Sequence, residues 1–258
     1  MIITMTTDFG NRDGYVASMK GVVYSRAPRA TVVDISHNIP PFDVQAGSFV
    51  LAQAARFFPP ETIHIGVVDP GVGSQRRGLL VVSRRQLFVG PDNGLFTPFF
   101  DHQAQAFALT NPDLWLPHAS DTFHGRDLFA PTAVHLAEGL APEDVGPEVK
   151  NPVRLPAWNV RRDGDSLIGA VVHIDRFGNA ITGLPAAFLN ELGEGPFVVE
   201  IAGQAPIPLL TTYSDTQPGE ALALIASCGM VEVAVREGNG ASYLNLQRGD
   251  VVRVKPAR

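Results

Sequence analysis

The first half of the chain alternates short apolar runs with longer amphipathic stretches. Two of the longer stretches, residues 15–27 and 44–57, place apolar residues three and four positions apart, which predicts helices. The short runs are rich in residues that favour β-strands, and they predict strands at residues 2–5, 31–35, 62–68, 79–82 and 87–89. This alternation predicts a largely parallel sheet with helices on its faces, and such sheets bind ligands at the carboxyl ends of their strands.

The pattern changes at a proline-punctuated segment, residues 151–158, which can neither continue a helix nor pair as a central strand and therefore predicts a linker. Beyond it, short strand-like runs stand between Gly, Pro, Asn and Asp at residues 166–174, 197–201, 221–225, 231–235 and 251–254. With one helix expected among them, these runs favour a small antiparallel β barrel or sandwich. We predict an α/β N-terminal domain (1–157) with a largely parallel central sheet, followed by a smaller C-terminal antiparallel β-barrel domain (158–258).

Composition narrows the possible functions. The 258 residues are 45% hydrophobic and 18% charged, which is enough apolar material for a large core. A net charge of -6 argues against a general nucleic-acid or anionic-membrane binder and favours a small-molecule ligand. The single cysteine, Cys228, permits no internal disulfide, and we find neither an export signal nor a long apolar window. We therefore expect a cytoplasmic protein.

Asp8 belongs to the first of three polar clusters and follows the first predicted strand in the motif TDFG, residues 7–10. Its carboxylate could cap or turn the chain before the helix predicted from Tyr15, because Asp is favoured at such positions. At the carboxyl end of a parallel strand it could instead accept two hydrogen bonds from a ribose diol.

Asp69 and Arg76 lie in the second cluster, a glycine-rich loop after the most apolar strand of this half. The loop is not a phosphate loop, because it contains neither GxGxxG nor GxxxxGK[ST]. One interpretation is a tight turn closed by a surface ion pair between Asp69 and Arg76. The other is a functional loop whose backbone approaches a ligand.

His124, in the third cluster, precedes an apolar helical pattern that runs to Leu140. A lone histidine is more often structural than catalytic, but Asp69, Arg76 and His124 together could hold and polarise a water molecule. Asp8, Asp69 and His124 leave a weak metal alternative, although arginine does not bind metals. A serine nucleophile has no support, because no GxSxG elbow occurs.

Taken together, these motifs resemble those of the S-adenosyl-L-methionine (SAM) hydroxide adenosyltransferases, relatives of the microbial fluorinase and chlorinase. The resemblance spans most of the chain in order and rests on TDFG at 7–10, DISH at 34–37, PFDV at 41–44, VDPGVG at 68–73 with Arg76, PDNG at 91–94, FHGRD at 123–127 and IDRFGN at 174–179. It implies hydrolysis of SAM to adenosine and methionine, with Asp69, Arg76 and His124 as a catalytic triad. SAM is then a substrate, and no cofactor or metal is implied.

The same resemblance implies roles for eight further residues. Asp8 would hold the ribose hydroxyls and Phe42 would wall the sugar. Phe123, next to His124, is also implied to bind substrate. Phe177, Asn179 and Tyr213 would lie around the adenine, and Asp175 and Ser227 would lie at the methionine end. The alternative for Phe42, Phe177 and Tyr213 is a role as core aromatics. Cys228 stands where a larger residue is commoner, which affects the methionine end.

Two alternatives to a hydrolase stay open from the residues. A non-catalytic adenosine or SAM sensor would keep Asp8 and the adenine residues but would not need the whole triad. A SAM-dependent halogenase would carry a longer insertion than the short connection at residues 82–87. By resemblance the chain is also expected to form a homotrimer, with each ligand between the first domain of one subunit and the barrel of its neighbour.

Overall fold

The structure is a computed structural model that describes residues 1–257. Its contacts separate the chain into a first unit, residues 1–155, and a second unit from residue 156 onward. Residues 152–160 form neither helix nor strand, as their proline content predicts. Within the described residues, none of the helices combines the length and the apolar character needed to cross a membrane.

The first unit is built on one sheet. Its strands are β1 (Ile2–Thr7), β2 (Thr31–Ser36), β3 (Ile63–Val67), β4 (Gly78–Ser83), β5 (Gln86–Pro91) and β6 (Gln105–Ala108). They lie in the order β2-β1-β3-β5-β4-β6, and all run parallel except β4, which is antiparallel to both neighbours. The predicted, largely parallel sheet is therefore confirmed, with one antiparallel hairpin between β4 and β5.

Helices cover both faces of this sheet. They are α1 (Tyr15–Arg26), α2 (Val44–Ala55) and α3 (Ala130–Ala137). On one face Met19 of α1 packs in a cluster with Ile65 and Phe129, and on the other Leu51 of α2 packs with Phe88. Strands β1, β3, β4 and β5 are almost entirely buried, which explains their high apolar content, whereas the edge strand β2 is partly exposed and contains Asp34.

The second unit is a strongly curved antiparallel sheet. Its strands are β7 (Arg161–Asp163), β8 (Ser166–Ile174), β9 (Ala180–Pro185), β10 (Phe197–Ile201), β11 (Ile207–Pro208), β12 (Ala221–Ile225), β13 (Met230–Val235) and β14 (Val251–Pro256). The main order is β11-β10-β14-β8-β9-β13-β12. A bridge from Leu209 to Ala223 connects the two ends of that order. The sheet is thus a nearly closed barrel, and the short helix α4 (Gly240–Tyr243) packs beside β13.

Candidate active site

Asp69 and Arg76 form a tight pair in the loop between β3 and β4. Arg76 Nε lies 3.0 and 3.1 Å from the two carboxylate oxygens of Asp69, and its Nη2 donates to Oδ2. The side chains are only 4% and 10% exposed for Asp69 and Arg76. The pair considered from the sequence does form, but its assignment to the surface is wrong. A buried charge pair is costly to desolvate, so such pairs need good geometry and further hydrogen bonds.

His124 completes the group. Arg76 Nη2 lies 2.6 Å from His124 Nδ1. A guanidinium only donates, so Nδ1 must accept, and a neutral His124 therefore carries its proton on Nε2. Burial and the Arg76 cation lower the pKa of His124 below its ordinary value, with Asp69 acting in the opposite direction. The group thus combines an ionic pair with a neutral imidazole.

The backbone places His124 at an irregular turn. A π-helical turn, Gly125–Phe129, follows it and leads directly into α3, where the sequence pattern predicts an ordinary helix. Phe129 is fully buried and lies under both polar groups, with Arg76 Cζ 5.4 Å from its ring and the imidazole edge-on at 6.3 Å. Single π turns inside helices are frequent at functional sites. The predicted end at Leu140 is wrong, because α3 ends at Ala137 before Gly139, whose φ is +102°.

A cavity of about 340 Å³ opens beside this group, and its walls include Asp8, Phe42, Asp69, Phe123 and His124. The Phe123 ring packs edge-on against two other aromatic walls, with centroids 5.3 Å from Tyr15 and 5.8 Å from Phe9. Aromatic walls with a few convergent polar groups are typical of small-molecule sites. The structure therefore brings five of the predicted first-domain site residues to one cavity, and the sixth, Arg76, contacts two of them, Asp69 and His124.

Asp8 does not cap α1. Gly14 occupies the N-cap position without a side-chain hydrogen bond, and the Phe42 N–H donates to Asp8 Oδ2 at 2.8 Å. The capping interpretation is therefore wrong. Phe42 has a φ of +66°, which is unusual for a bulky residue, and its side chain is 71% exposed. Its interpretation as a core aromatic is wrong as well.

In the second unit, Asp175 organises a tight turn between β8 and β9. Its Oδ1 accepts from the N–H groups of Phe177 and Asn179, both at 2.9 Å, and its Oδ2 accepts from Asn179 Nδ2. Gly178 has a φ of +85°, and a Cβ there would lie 2.2 Å from Asn239. The turn presents Phe177 with 75% of its side chain exposed, so this residue is not a core aromatic either.

Tyr213 lies with Phe177 and Asn179 around a depression of about 710 Å³ on the same unit. It is 42% exposed, and its hydroxyl donates to Glu232 Oε1 at 2.6 Å. Burial raises the pKa of Glu232, and the nearby charge of Asp175 adds to this. Sequence reasoning missed Glu232, although a carboxylate inside the apolar run 231–235 was a visible signal. Ser227, the remaining predicted residue, lies in the turn between β12 and β13.

The polar groups do not form a recognisable metal site. Within residues 1–257 no three His, Cys, Asp or Glu side chains converge as potential ligands, so Asp8, Asp69 and His124 do not form such a set. Arg76 also occupies both oxygens of Asp69 and Nδ1 of His124. The fold and the first-unit cavity thus define a small-molecule site at the carboxyl end of a parallel strand, with the Asp69 carboxylate and the His124 imidazole in its wall and the Arg76 guanidinium hydrogen-bonded to both.

Comparison with known families assigns the chain. Residues 3–146 match the model of the SAM hydroxide adenosyltransferase N-terminal domain, and residues 169–253 match that of its C-terminal domain. The chain belongs to the SAM hydroxide adenosyltransferase family, as the motif resemblance predicts.

Individual relatives match over nearly the whole chain. Proteins named (R)-S-adenosyl-L-methionine hydrolase from Thermus thermophilus and Salinispora arenicola are 41% and 40% identical, covering 96% and 98% of this chain and 97% of each relative. A fluorinase from Nocardia brasiliensis is 28% identical, with 98% and 96% covered. A crystal structure of an uncharacterized conserved protein from Thermotoga maritima superimposes with a TM-score of 0.92 at 33% identity, covering 99% of this chain and all of that one.

Proposed function

We propose that this protein hydrolyses SAM to adenosine and L-methionine by attack of water, or of hydroxide formed from it, on the ribose C5′. The observation that carries the proposal is the group of Asp69, Arg76 and His124, of which Asp69 and His124 line the Asp8 cavity and Arg76 is hydrogen-bonded to both. The hydrolase names of the 40–41% identical relatives support it.

The reaction suits a site with little water. Attack at C5′ forms a C–O bond, breaks the C–S bond and leaves the sulfur pair on a neutral thioether, so the leaving group needs no general acid. The attacking water gives one proton to the solvent through the Asp69 carboxylate that accepts its hydrogen bond, so SAM and water yield adenosine, methionine and one proton. The sulfonium charge disappears as the nucleophile gives up its own charge. A poorly solvated site favours such a transition state over the separated ions.

Asp69, Arg76 and His124 each have a different role toward the attacking water. Arg76 is held by Asp69, and its cation favours the hydroxide-like form. His124 has Nδ1 committed to Arg76, so its Nε2–H donates to the nucleophile's oxygen and orients it. The Asp69 carboxylate is the anionic group that accepts a hydrogen bond from the attacking water.

Recognition of SAM is assigned by fragment. In the first unit, Asp8 binds the ribose hydroxyls, and Phe42 and Phe123 pack against the sugar. Residues of the second unit bind the adenine and the amino acid end. Adenine contacts Phe177, Asn179 and Tyr213, and the amino acid end contacts Asp175 and Ser227. The exposed ring of Phe177 and the hydrogen-bonded hydroxyl of Tyr213 support an aromatic purine site.

The proposal includes an assembly, a compartment and the absence of a cofactor. The protein acts as a homotrimer in which the Asp8 cavity of one copy and the Phe177 depression of a neighbour share a ligand. Phe42 and Phe177 are each more than 70% exposed, which leaves both rings available to contact a ligand shared between two copies. The cytoplasm is the proposed compartment, supported by the single cysteine, and a neutral leaving group supports a reaction without metal or cofactor.

The deciding experiment is incubation of the purified protein with SAM, followed by chromatography of the products. The (R) and (S) sulfonium epimers are supplied separately, each with and without chloride and with and without a chelator. Adenosine and methionine formed in equal amounts, independently of both additives, support metal-free hydrolysis. Chlorinated nucleoside indicates a halogenase, and tight adenosine binding without turnover indicates a sensor.

A further inference from the structure

His37 is a buried histidine that follows β2 and contacts the chain on both sides of Asp8. Only 4% of it is exposed. Its backbone carbonyl accepts the Gly10 N–H at 2.7 Å, and its Nδ1 lies 2.9 Å from Thr7 Oγ1. Thr7 Oγ1 also accepts the Phe9 N–H at 3.3 Å. One residue thus holds the backbone just before and just after Asp8.

The outer contacts of His37 fix the position of its proton. Its Nε2 lies 3.0 Å from Asp34 Oδ1, and Lys20 Nζ lies 2.6 Å from the other oxygen of Asp34. Burial opposes ionisation of Asp34, but the contacts with Lys20 and His37 lower its pKa below the ordinary value. The Nε2 contact with Asp34 is an ion-pair contact and not an aligned hydrogen bond, but an Nε2 lone pair facing a carboxylate oxygen at 3.0 Å would be repelled, which favours the proton on Nε2 and leaves Nδ1 to accept from the Thr7 hydroxyl.

These contacts continue to the cavity wall. Asp8 accepts the Phe42 N–H at 2.8 Å, and Phe42 holds a backbone conformation that L residues adopt only at a cost. Gly10, with a φ of +66°, turns the chain back so that its N–H meets the His37 carbonyl. The direction of the Asp8 carboxylate thus depends on contacts that end in His37.

We propose that His37 is a positioning residue, which holds Asp8 and, through it, Phe42 in the geometry that recognises the ribose diol of the substrate. This inference rests on the proposed function, because Asp8 is assigned to the ribose there. His37 itself lies behind Asp8 and contacts it through Thr7 and Gly10, so it is a positioning and not a catalytic residue.

The test measures binding of adenosine, 2′-deoxyadenosine and 3′-deoxyadenosine by calorimetry. The wild-type protein should bind adenosine at least about tenfold more tightly than either deoxynucleoside, as expected for hydrogen bonds to a carboxylate. In His37→Leu, the preference should fall to about twofold, as in Asp8→Ala, because adenosine loses two hydrogen bonds to the carboxylate and each deoxynucleoside, which keeps one hydroxyl, loses only one. For SAM, the change should appear in KM more than in kcat.

Two further variants separate positioning from folding. His37→Asn keeps an acceptor near the place of Nδ1 and should retain most of the preference. Thr7→Val removes the hydroxyl in a nearly isosteric side chain and should lose the preference, even if His37→Leu does not fold. A structural role alone would weaken binding of all three nucleosides by the same factor.

The outcomes that overturn the proposal are distinct from those that overturn the hydrolysis. A preference for adenosine that survives in both His37→Leu and Thr7→Val overturns the role of His37. A wild-type protein without that preference overturns the ribose role of Asp8 and the inference with it. A wild-type protein that shows the preference but does not turn over SAM overturns only the hydrolysis, and the binding series still decides the role of His37.

Discussion

Arg76 determines the chemistry at the scale of single residues, because it contacts both Asp69 and His124. Asp69 balances the charge of Arg76, and the hydrogen bond from Arg76 fixes the tautomer of His124. The sequence suggests the Asp69–Arg76 pair but not the contact with His124, which stands 48 positions from Arg76. The chemistry of the three residue types suggests that Asp69, Arg76 and His124 act together and the motif resemblance implies a triad, whereas their burial and mutual hydrogen bonds come from the structure.

Asp69→Ala should reduce turnover of SAM by about 10² to 10⁴-fold while adenosine binding is unchanged, because the variant loses the anion that orients water and Arg76. It should also lose roughly 3 kcal/mol of unfolding free energy, because a buried guanidinium remains without its counterion. Single-turnover kinetics, calorimetric binding and urea unfolding check the three parts.

The double variant D69A/R76M is the matched control for that stability loss. It removes both charges, so it should recover much of the lost stability and none of the activity. Equal loss of adenosine binding in Asp69→Ala would instead assign Asp69 to ligand positioning. Exposed Asp113→Ala should leave all three measurements unchanged.

At the scale of elements, the sequence predicts most strands and both N-terminal helices to within about two residues. The helices begin at Tyr15 and Val44 as predicted, because their apolar spacing starts there. The short strands β6, β7, β9 and β11 were missed, since runs such as Gln105–Ala108 carry too few β-favouring residues to stand out. The π turn was missed because one extra residue in a turn leaves the apolar pattern almost unchanged.

The β4–β5 hairpin turn offers a test of local strain. Arg84 and Arg85 have φ values of +52° and +62°, the left-handed conformations that two-residue hairpin turns require and that Asn and Gly adopt most easily. Replacement of the pair by Asn-Gly should raise the unfolding free energy by about 1 kcal/mol without changing SAM turnover. Urea denaturation measures it, and an unchanged or lower midpoint would contradict the strain argument.

The sheet core contains a histidine that makes stability depend on pH. His64 of β3 is fully buried, stacks on Phe88 of β5 at 4.8 Å and has Nδ1 2.7 Å from Thr4 Oγ1. Burial lowers the pKa of His64 to about 4. The folded state therefore binds this proton less readily than the unfolded chain, so the contribution of His64 is fully present above about pH 6.5 and is lost as the pH falls toward 4.

The wild-type protein should lose about 3 kcal/mol more unfolding free energy between pH 6.5 and pH 4 than His64→Phe does. The variant keeps a ring against Phe88 but cannot titrate, so the difference between the two pH profiles isolates this residue from the carboxylates. Chemical unfolding at a series of pH values measures both profiles. Parallel profiles would show that His64 takes up its proton equally in the folded and unfolded states, which would contradict the prediction.

At the scale of the whole molecule, the proposed substrate contacts fall on two units, which the proposed trimer brings together between copies. This assembly predicts complementation. Asp69→Ala disables the first-unit part, and Phe177→Glu places a charge where adenine would stack on an exposed surface. Co-expressed, the two inactive variants should recover about a quarter of wild-type turnover, because random trimers pair two intact parts in that fraction of sites.

Isolated mixed oligomers that stay inactive would place each site within one copy. Sedimentation should show three times the mass of the chain for the wild-type protein and for both variants. Mixing the purified homo-oligomers without exchange of subunits is the control and should give no recovery of turnover.

The Phe129 ring has a further consequence for an enzyme whose second substrate is the solvent. Such an enzyme has no need to capture water, but it must prevent bulk water from surrounding the charged group and from reaching the sulfonium unselectively. Phe129 is completely buried and closes the inner side of Arg76 and His124. The proposed reaction therefore depends on limited access of water. The Phe129 ring blocks one side of the site, so the attacking water can enter only from the other side. Which water molecule attacks is thus decided before any bond forms or breaks.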